Sequence, residues 1–234
     1  MPLKELAERR NLLHRRSTAQ TILKHALDDP KIGPIALVSS FGAESVVLLH
    51  MAAQIDRDVP VIFLDTEMLF RETLQYQRDV AAHLGLTNLR IVTPARDQLL
   101  EHDVDGLLHQ VDTDACCHLR KTKPLEDALQ GFGGWITGRK RYQSGQRASL
   151  PIYEKHERRI KVNPLASWSA EQARAYIAEH NLPKHPLVAL GYPSIGCAPC
   201  TSRVRDSEHA RAGRWRDHAK TECGIHFPAA MQGA

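Results

Sequence analysis

Short apolar runs alternate with amphipathic helical patterns along the first two thirds of the chain. Residues 35–40, 61–66, 89–92 and 135–138 each contain a compact apolar run, and the stretches between them carry helical periodicity, as over 46–54. Buried strands separated by helices are typical of βαβ units, so the pattern predicts a parallel sheet covered by helices on both faces. In such sheets ligands bind at the carboxyl ends of the strands.

The pattern also suggests how the chain is organised. An amphipathic helix opens the sequence, the strand pattern ends near 163–165, and a further helix follows with Ser169 as its expected N-cap. A chain of 234 residues with 42% hydrophobic residues can bury a substantial core. We therefore expect one domain over 1–210 and a C-terminal segment over 211–234 that carries the reactive chemistry.

Composition and charge narrow the function classes. The formal net charge is +4, and the basic residues fall in short clusters that suit a small polyanion better than a nucleic acid, although a solvated basic surface is the alternative. The N-terminus has no apolar signal-peptide core, and no stretch approaches membrane-spanning length. We expect a cytoplasmic protein without membrane or nucleic-acid partners. In that compartment the five cysteines indicate metal ligation or catalysis rather than disulfides.

The first candidate site is the turn after the first strand, with the sequence Ser-Ser-Phe-Gly-Ala-Glu-Ser over 39–45. Small hydroxyl residues and glycine before a helix offer backbone N–H groups to an anion, although an ordinary turn is the alternative. The Walker ending is missing. The turn, together with Leu-Asp-Thr at 64–66, resembles the modified phosphate loop of the adenine-nucleotide α-hydrolase-like superfamily. That resemblance implies an α/β fold with three layers around a parallel sheet, here with a C-terminal helical extension and a flexible tail.

Two basic segments are further candidates. Residues 137–147 combine glycines with three arginines and a lysine, and guanidinium groups bind phosphate or sulfate oxygens in a bidentate manner. An exposed basic loop is the alternative. Arg211 and Arg214 are three residues apart and would share one face of a helix. Their position just upstream of Cys223 favours a functional role.

The cysteines form two pairs and one single residue. Cys197 and Cys200 have a spacing at which both sulfurs can reach one metal or iron-sulfur cluster. The vicinal Cys116 and Cys117 could both be ligands only from a turn or a helix, because adjacent side chains diverge on a strand. A thioredoxin-like redox motif and structural zinc are alternatives for the second pair. Cys223 is left over as a candidate nucleophile beside basic residues.

Three segments together resemble the assimilatory adenylyl-sulfate reductases of the PAPS/APS reductase family: Cys-Cys-x-x-Arg-Lys at 116–121, Gly-Tyr-x-Ser-Ile-Gly-Cys-x-Pro-Cys at 191–200, and Glu-Cys-Gly-Ile-His at 222–226. The resemblance implies that the paired cysteines Cys116, Cys117, Cys197 and Cys200 hold one 4Fe-4S cluster per subunit and that Cys223 is catalytic. It implies a substrate site at Ser39, Ser40, Phe41, Gly42, Glu44, Leu64, Thr66, Lys121, Gly138, Arg147, Arg211, Arg214 and His226.

The same resemblance implies the reaction. Cys223 would attack the sulfur of adenylyl sulfate (APS), AMP would leave, and thioredoxin or a glutaredoxin-like dithiol would release sulfite from the S-sulfocysteine during sulfate assimilation toward cysteine. A dimer or tetramer and a hinged tail near Thr221 are further expectations. The alternatives are reduction of 3'-phosphoadenylyl sulfate (PAPS) or of both nucleotides, a tRNA sulfur-transfer enzyme and a zinc-stapled binding module. Glu67 and Tyr142 depart from the family pattern near the nucleotide.

Overall fold

The computed structural model describes residues 1–216, 220 and 222–226. Its strands are β1 Ile35–Ser39, β2 Val61–Leu64, β3 Leu89–Val92, β4 Gly134–Ile136, β5 Tyr153–His156 and β6 Arg159–Val162. Its α-helices are α1 Leu3–His14, α2 Ala19–Asp28, α3 Ser45–Ile55, α4 Arg71–Leu84, α5 Arg96–His102, α6 Leu108–Val111, α7 Thr113–Cys117, α8 Lys123–Ala128 and α9 Ala170–Glu179. A π-helix, His118–Thr122, joins α7 to α8. No helix in this part of the chain is long and apolar enough to cross a membrane.

The six strands form one sheet in the order β3-β2-β1-β4-β6-β5. All neighbours pair in parallel except β5 and β6, which pair antiparallel. After β1 the chain adds β2 and then β3 on one side of β1, and β4 lies on the other side of β1. The strand order therefore reverses between β1 and β4, and a crevice outside the carboxyl ends of those two strands is the expected ligand site.

Successive side chains of each strand point to opposite faces of the sheet, so the core is divided into two clusters, one on each face. Leu37, Phe63 and Ile136 point into the larger cluster, which packs under α1, α2, α3 and α4. Ile62 and Trp135 point into a smaller cluster with residues of α8. This is a three-layer α/β fold with a mostly parallel sheet, and it confirms the fold class expected from the sequence.

The sequence pattern missed β5 and β6. Both strands are rich in charged residues, and Glu157 between them turns the chain with a φ of 53°. The edge strand β5 is covered by α1, where the Asn11 amide donates to the Tyr153 carbonyl at 2.7 Å and accepts from the Tyr153 N–H at 2.9 Å. A covered edge cannot pair with another chain, so these polar strands are stable at the end of the sheet.

Two predictions about the C-terminal segment have different outcomes. Arg211 and Arg214 do not share a helix face, as they would on a helix, because the chain turns at 211–213 and Arg214 forms an isolated bridge with Thr201. The boundary at 210/211 and the hinge remain predictions, since Thr221 and residues 217–219 and 227–234 lie outside the described residues.

Ser169 caps α9 as expected, with its hydroxyl accepting from the Gln172 N–H.

Candidate active site

A cavity of about 320 Å³ opens at the carboxyl ends of β1 and β4, where the strand order reverses. Its wall combines the turn after β1, the segment 137–147 after β4, the loop 193–196 and the tail residues 222–226. Four segments that are distant in sequence therefore meet at the crevice that the topology predicts.

The turn after β1 is held by its own hydroxyl groups. The Phe41 N–H donates to Ser39 Oγ at 3.2 Å, and the Gly42 N–H donates to Ser45 Oγ at 3.0 Å. Phe41 adopts a φ of 47° and is fully buried, with its ring packed against Phe63. This arrangement turns the backbone sharply, so that α3 begins at the cavity with its positive dipole end facing it.

A carboxylate, an ammonium and a phenol form a hydrogen-bonded group in the cavity wall. Lys140, 2% exposed, donates to Glu44 Oε2 at 2.9 Å, and the Tyr142 hydroxyl donates to Glu44 Oε1 at 2.6 Å. Burial, assisted by the bond to Glu44, raises the pKa of Tyr142, and burial lowers the pKa of Lys140 against the attraction of Glu44. The pair Glu44–Lys140 is therefore close to neutral overall.

Further cations converge on the cavity from the C-terminal segments. Arg214 donates from Nη1 to the Ile195 carbonyl at 3.2 Å and lies over the Trp215 ring at 4.3 Å. Gly196 makes room for this guanidinium, because a Cβ there would lie 2.3 Å from Arg214 Nη2. Arg211 also lines the cavity, and burial lowers its pKa to about 10.

The first cysteine pair lies at the end of a short helix. Asp112 caps α7 by accepting from the N–H groups of Asp114 and Ala115, and Cys116 and Cys117 occupy its last two positions, both buried. The expectation that vicinal cysteines could act together only from a turn or helix is met. The π-helix that follows widens the backbone at Lys121, and such bulges often occur at functional sites.

The second cysteine pair faces the first. The loop of Cys197 and Cys200 is fixed by a 2.7 Å bond from the Ala198 N–H to the Met68 carbonyl, and Thr66 Oγ1 lies 3.2 Å from Cys197 Sγ. Burial and then the nearby charge of Cys197 raise the pKa of Cys116 to about 11. Both pairs therefore share one buried neighbourhood.

A buried ion pair supports this neighbourhood. Arg120 donates from Nε and Nη2 to Asp103 Oδ2, at 3.0 and 2.6 Å, and from Nη1 to the Thr66 carbonyl at 2.9 Å. Both side chains are buried. Arg120 thus ties the π-helix to the end of β2, beside the hydroxyl that contacts Cys197.

These four cysteines have the chemistry that an iron-sulfur cluster requires: all are free, three are buried and the fourth is half-buried. Among the residues the structure describes, no group of three or more His, Cys, Asp or Glu side chains could hold a metal ion. In a 4Fe-4S cluster each thiolate binds a different iron, so the ligands are spaced more widely than around one ion. Lys121 supplies positive charge beside them, since attraction by the thiolates of Cys197 and Cys223 outweighs burial and raises its pKa.

Cys223 is half-buried and is the only cysteine in the described cavity wall. A hydrogen bond from Cys117, together with the charge of Lys121 and the Ile225 N–H, lowers the pKa of Cys223 well below its ordinary value, although burial opposes this. If Cys117 binds iron it has no proton to donate, so Lys121 and the backbone would then stabilise the thiolate. A thiolate is the nucleophilic form.

The described tail residues make specific contacts with the body of the protein. Glu222 forms a bidentate ion pair with Arg147, and Lys220 bonds to Asp114 on α7. The His226 ring stacks on Trp135 with centroids 6.2 Å apart. Burial, followed by the charge of Lys161, lowers the pKa of His226 well below its ordinary value.

The cavity wall contains most of the sequence-predicted substrate residues: Ser39, Ser40, Gly42, Glu44, Leu64, Lys121, Gly138, Arg147, Arg211, Arg214 and His226, with Cys223. Two residues lie elsewhere. Phe41 is packed in the core, and Thr66 is fully buried beside Cys197. Contact of these residues with a substrate remains a prediction.

Sequence reasoning missed several residues of the wall, including Trp135, Arg174 and Glu222. Only Glu222 carried a signal, because it directly precedes the candidate nucleophile. The sequence pattern places Trp135 on a strand but does not indicate which face it occupies, and nothing in the sequence places α9 beside the turn after β1.

Known proteins are similar to this chain in sequence and in fold. Residues 34–203 match the phosphoadenosine phosphosulfate reductase domain family. The chain is 54% identical to an adenosine 5'-phosphosulfate reductase of Mesorhizobium japonicum over 82% of its length and 76% of the relative's. It is 42% identical to an enzyme of the same name from Streptomyces coelicolor, over 96% and 94% of the two lengths.

A solved structure agrees with these matches. The crystal structure of a phosphoadenylyl-sulfate reductase from Candida auris, in complex with phosphate, superposes with a TM-score of 0.73 at 29% identity, covering 87% of this chain and 98% of that one. The family match covers more than half of the chain and includes both cysteine pairs and the turn after β1. The protein is therefore a member of the phosphoadenosine phosphosulfate reductase domain family.

Proposed function

We propose that the protein reduces adenylyl sulfate to sulfite and AMP, as the names of its relatives suggest. One observation carries the proposal: Cys223 faces a cavity at the strand-order reversal whose wall also contains a phosphate-loop-like turn and Lys121, Arg211 and Arg214. A thiol nucleophile among cations suits a substrate that joins a nucleotide to a sulfate group.

The proposed first step is a displacement at sulfur. Cys223 Sγ forms a bond to the sulfur of the sulfate group, and the bond from that sulfur to the bridging phosphate oxygen breaks. AMP leaves with the bonding electron pair, and the sulfonate remains on the enzyme as S-sulfocysteine. The low pKa of Cys223 supports this step, because the thiolate needs no base to remove its proton.

The cations have separate tasks in this step. Lys121 lies beside Cys223 and would stabilise both the thiolate and the approaching sulfate oxygens. Arg211 and Arg214 would hold the anionic groups, and charge that develops on the departing phosphate would be stabilised by the same guanidiniums. His226, neutral and stacked on Trp135, can accept or donate one hydrogen bond without adding charge.

We further propose that Cys116, Cys117, Cys197 and Cys200 bind a 4Fe-4S cluster. When bound, the cluster would supply a compact anionic centre beside Lys121 and would cross-link α7 to the loop at 197–200. The buried thiols and the nearby lysine support this assignment.

The second step requires electrons from outside the chain, because the other four cysteines are assigned to the cluster. A dithiol protein such as thioredoxin or a glutaredoxin-like reductant attacks Cys223 Sγ, and sulfite leaves as the sulfur–sulfur bond breaks. The second thiol of the partner then displaces Cys223 and restores its thiol. The dithiol loses two electrons and the sulfate sulfur gains two, so the cycle balances. Cytoplasmic location and a dimer or tetramer remain predictions.

The second candidate substrate is PAPS. The similarity to the Candida auris enzyme, which is named for that nucleotide, favours it. The 3'-phosphate would need a cation beyond those that hold the sulfate and 5'-phosphate. Arg139, Lys140 and Arg174 are further cations of the wall, but they are already paired with Glu154, Glu44 and Glu171. This pairing supports APS as the preferred substrate.

Intact mass spectrometry tests the proposal directly. Anaerobically purified protein is mixed with APS, or separately with PAPS, without a reductant. We expect an adduct of one SO3 group from APS, mapped to residue 223 by peptide analysis and absent in Cys223→Ser. Thioredoxin should then remove it and release sulfite. The absence of an adduct with either nucleotide would contradict the proposed reaction. An adduct formed from PAPS but not from APS would show that PAPS is the substrate instead.

A further inference from the structure

The carboxylate next to the nucleophile is buried against the body of the protein. Glu222 is 5% exposed, and its Oε1 accepts from Arg147 Nη2 at 2.6 Å while its Oε2 accepts from Arg147 Nε. Arg211 lies 3.8 Å from the same carboxylate. A paired, bidentate contact of this kind fixes orientation as well as position.

Glu222 also holds the backbone of the nucleophile. Its Oε1 accepts from the Cys223 N–H at 3.0 Å. The same oxygen therefore joins Arg147, in the segment after β4, to the peptide that carries the thiol. Movement of the carboxylate would move Cys223 with it.

Most of the hydrogen-bonding capacity of Arg147 is used in this contact. Nε and Nη2 face Glu222, and Nη1 donates to Gln143 Oε1. Arg147 is 7% exposed, so few of its donors remain for a ligand. With the tail in this position a cavity of about 320 Å³ still remains beside Cys223. The contact is therefore compatible with an occupied site.

We propose that Arg147 and Glu222 are positioning residues that seat the tail and aim Cys223 into the cavity, with Arg147 acting through Glu222 rather than as a ligand of the substrate. The identity of Cys223 as the nucleophile rests on the proposed function, but the seating itself does not. Loss of either partner should free the tail while leaving the turn after β1 and the cations Lys121 and Arg214 in place.

The rate of alkylation at residue 223 measures the seating. Full-length, anaerobically purified protein is treated with iodoacetamide for set times without nucleotide, and the alkylated peptide that contains residue 223 is quantified by mass spectrometry. The pH is chosen high enough that a further increase no longer raises the alkylation rate, so that differences in the pKa of the thiol do not affect the comparison. We expect Glu222→Gln and Arg147→Gln each to raise the rate at Cys223 about tenfold, because each loses a charge-assisted hydrogen bond. The double variant should equal the single ones, since both act through one contact.

Two controls separate seating from general damage. Glu5→Gln breaks an exposed ion pair with Arg9 on α1 and should leave the rate at Cys223 unchanged. AMP affinity, measured by calorimetry, should stay within about twofold of wild type in Glu222→Gln. If the wild type does not bind AMP, the proposed function fails, whereas the alkylation comparison is unaffected.

Two results would overturn the inference. One is an alkylation rate at Cys223 that neither variant changes. The other is AMP binding that weakens about tenfold or more in Arg147→Gln and tightens in Glu222→Gln. The latter would make Arg147 a direct ligand and Glu222 its competitor.

Discussion

Breaking the buried ion pair between Arg120 and Asp103 should destabilise the protein strongly. The change is Arg120→Met, which keeps the length of the side chain but removes its charge. The Arg120 side chain is 6% exposed and that of Asp103 is 0% exposed. The carboxylate would stay buried and would keep only the bond from the Leu108 N–H, at 2.8 Å.

The expected loss follows from the contacts. Arg120 makes two hydrogen bonds to the carboxylate and one to the Thr66 carbonyl. Removing one partner of a buried pair typically costs about 3–5 kcal/mol, since the remaining charge is desolvated and unpaired. For a domain of this size about 1 kcal/mol lowers Tm by about 2 °C, so we expect a decrease of about 6–10 °C. Replacing both partners, in Arg120→Met with Asp103→Leu, should restore much of the loss.

Urea and thermal unfolding followed by circular dichroism measure this effect. The matched control is Lys123→Met, which breaks the exposed pair with Asp127 on the adjoining helix, where the two side chains are 57% and 49% exposed. That change should cost less than about 0.5 kcal/mol. A loss below about 1 kcal/mol in Arg120→Met, or no recovery in the double variant, would refute the reasoning.

Three further predictions concern stability and the cysteine site. Burial lowers the pKa of His185 to about 4, so the unfolded chain binds the proton more tightly, and stability present near pH 7 should be lost as the pH falls from about 6.5 to 4. After solvent screening the loss is about 2 kcal/mol, and His185→Asn should flatten this part of the pH profile in urea unfolding. Gly133→Ala should cost about 3 kcal/mol or more, because its Cβ would lie 1.8 Å from the Ile32 carbonyl oxygen, whereas Gly145→Ala meets nothing within 4 Å and should be nearly neutral in the same assay. Cys197→Ser should reduce the iron content and the visible absorbance of anaerobically purified protein, and Cys223→Ser should retain both.

The pattern of the sequence predicts the centre of the sheet but not its far edge. β2 is a short, wholly apolar run, and β1 is apolar up to its last residue, Ser39, as expected for buried parallel strands. In β6 Lys161 lies beside Trp135, with its Nζ 4.4 Å from the ring centroid, and is completely buried. From the sequence alone, a lysine in a strand is predicted to face solvent. Its burial here depends on groups from other strands, which the local sequence does not reveal.

The candidate site was predictable to the extent that its chemistry is local. The spacing of Cys197 and Cys200 and the vicinal pair at 116–117 mark these four cysteines as candidate ligands without any knowledge of the fold. The contact between Arg147 and Glu222 joins residues 75 positions apart. Nothing in the local sequence of either residue specifies the other, so this contact could be found only in the folded protein.

The two departures from the family pattern have physical explanations. The family resemblance implies glycine at position 67. This chain has Glu67 there with a φ of 57°, which costs a non-glycine residue about 1 kcal/mol. The Glu67 N–H donates to Asp65 Oδ1 at 3.0 Å, which partly offsets that cost. The family resemblance implies an acidic residue at position 142; this chain has Tyr142 there, and its hydroxyl donates to the Glu44 carboxylate. Because Lys140 neutralises Glu44, this group contributes little net charge, and the attraction for an anionic substrate must come from other cations of the wall, such as Lys121, Arg211 and Arg214.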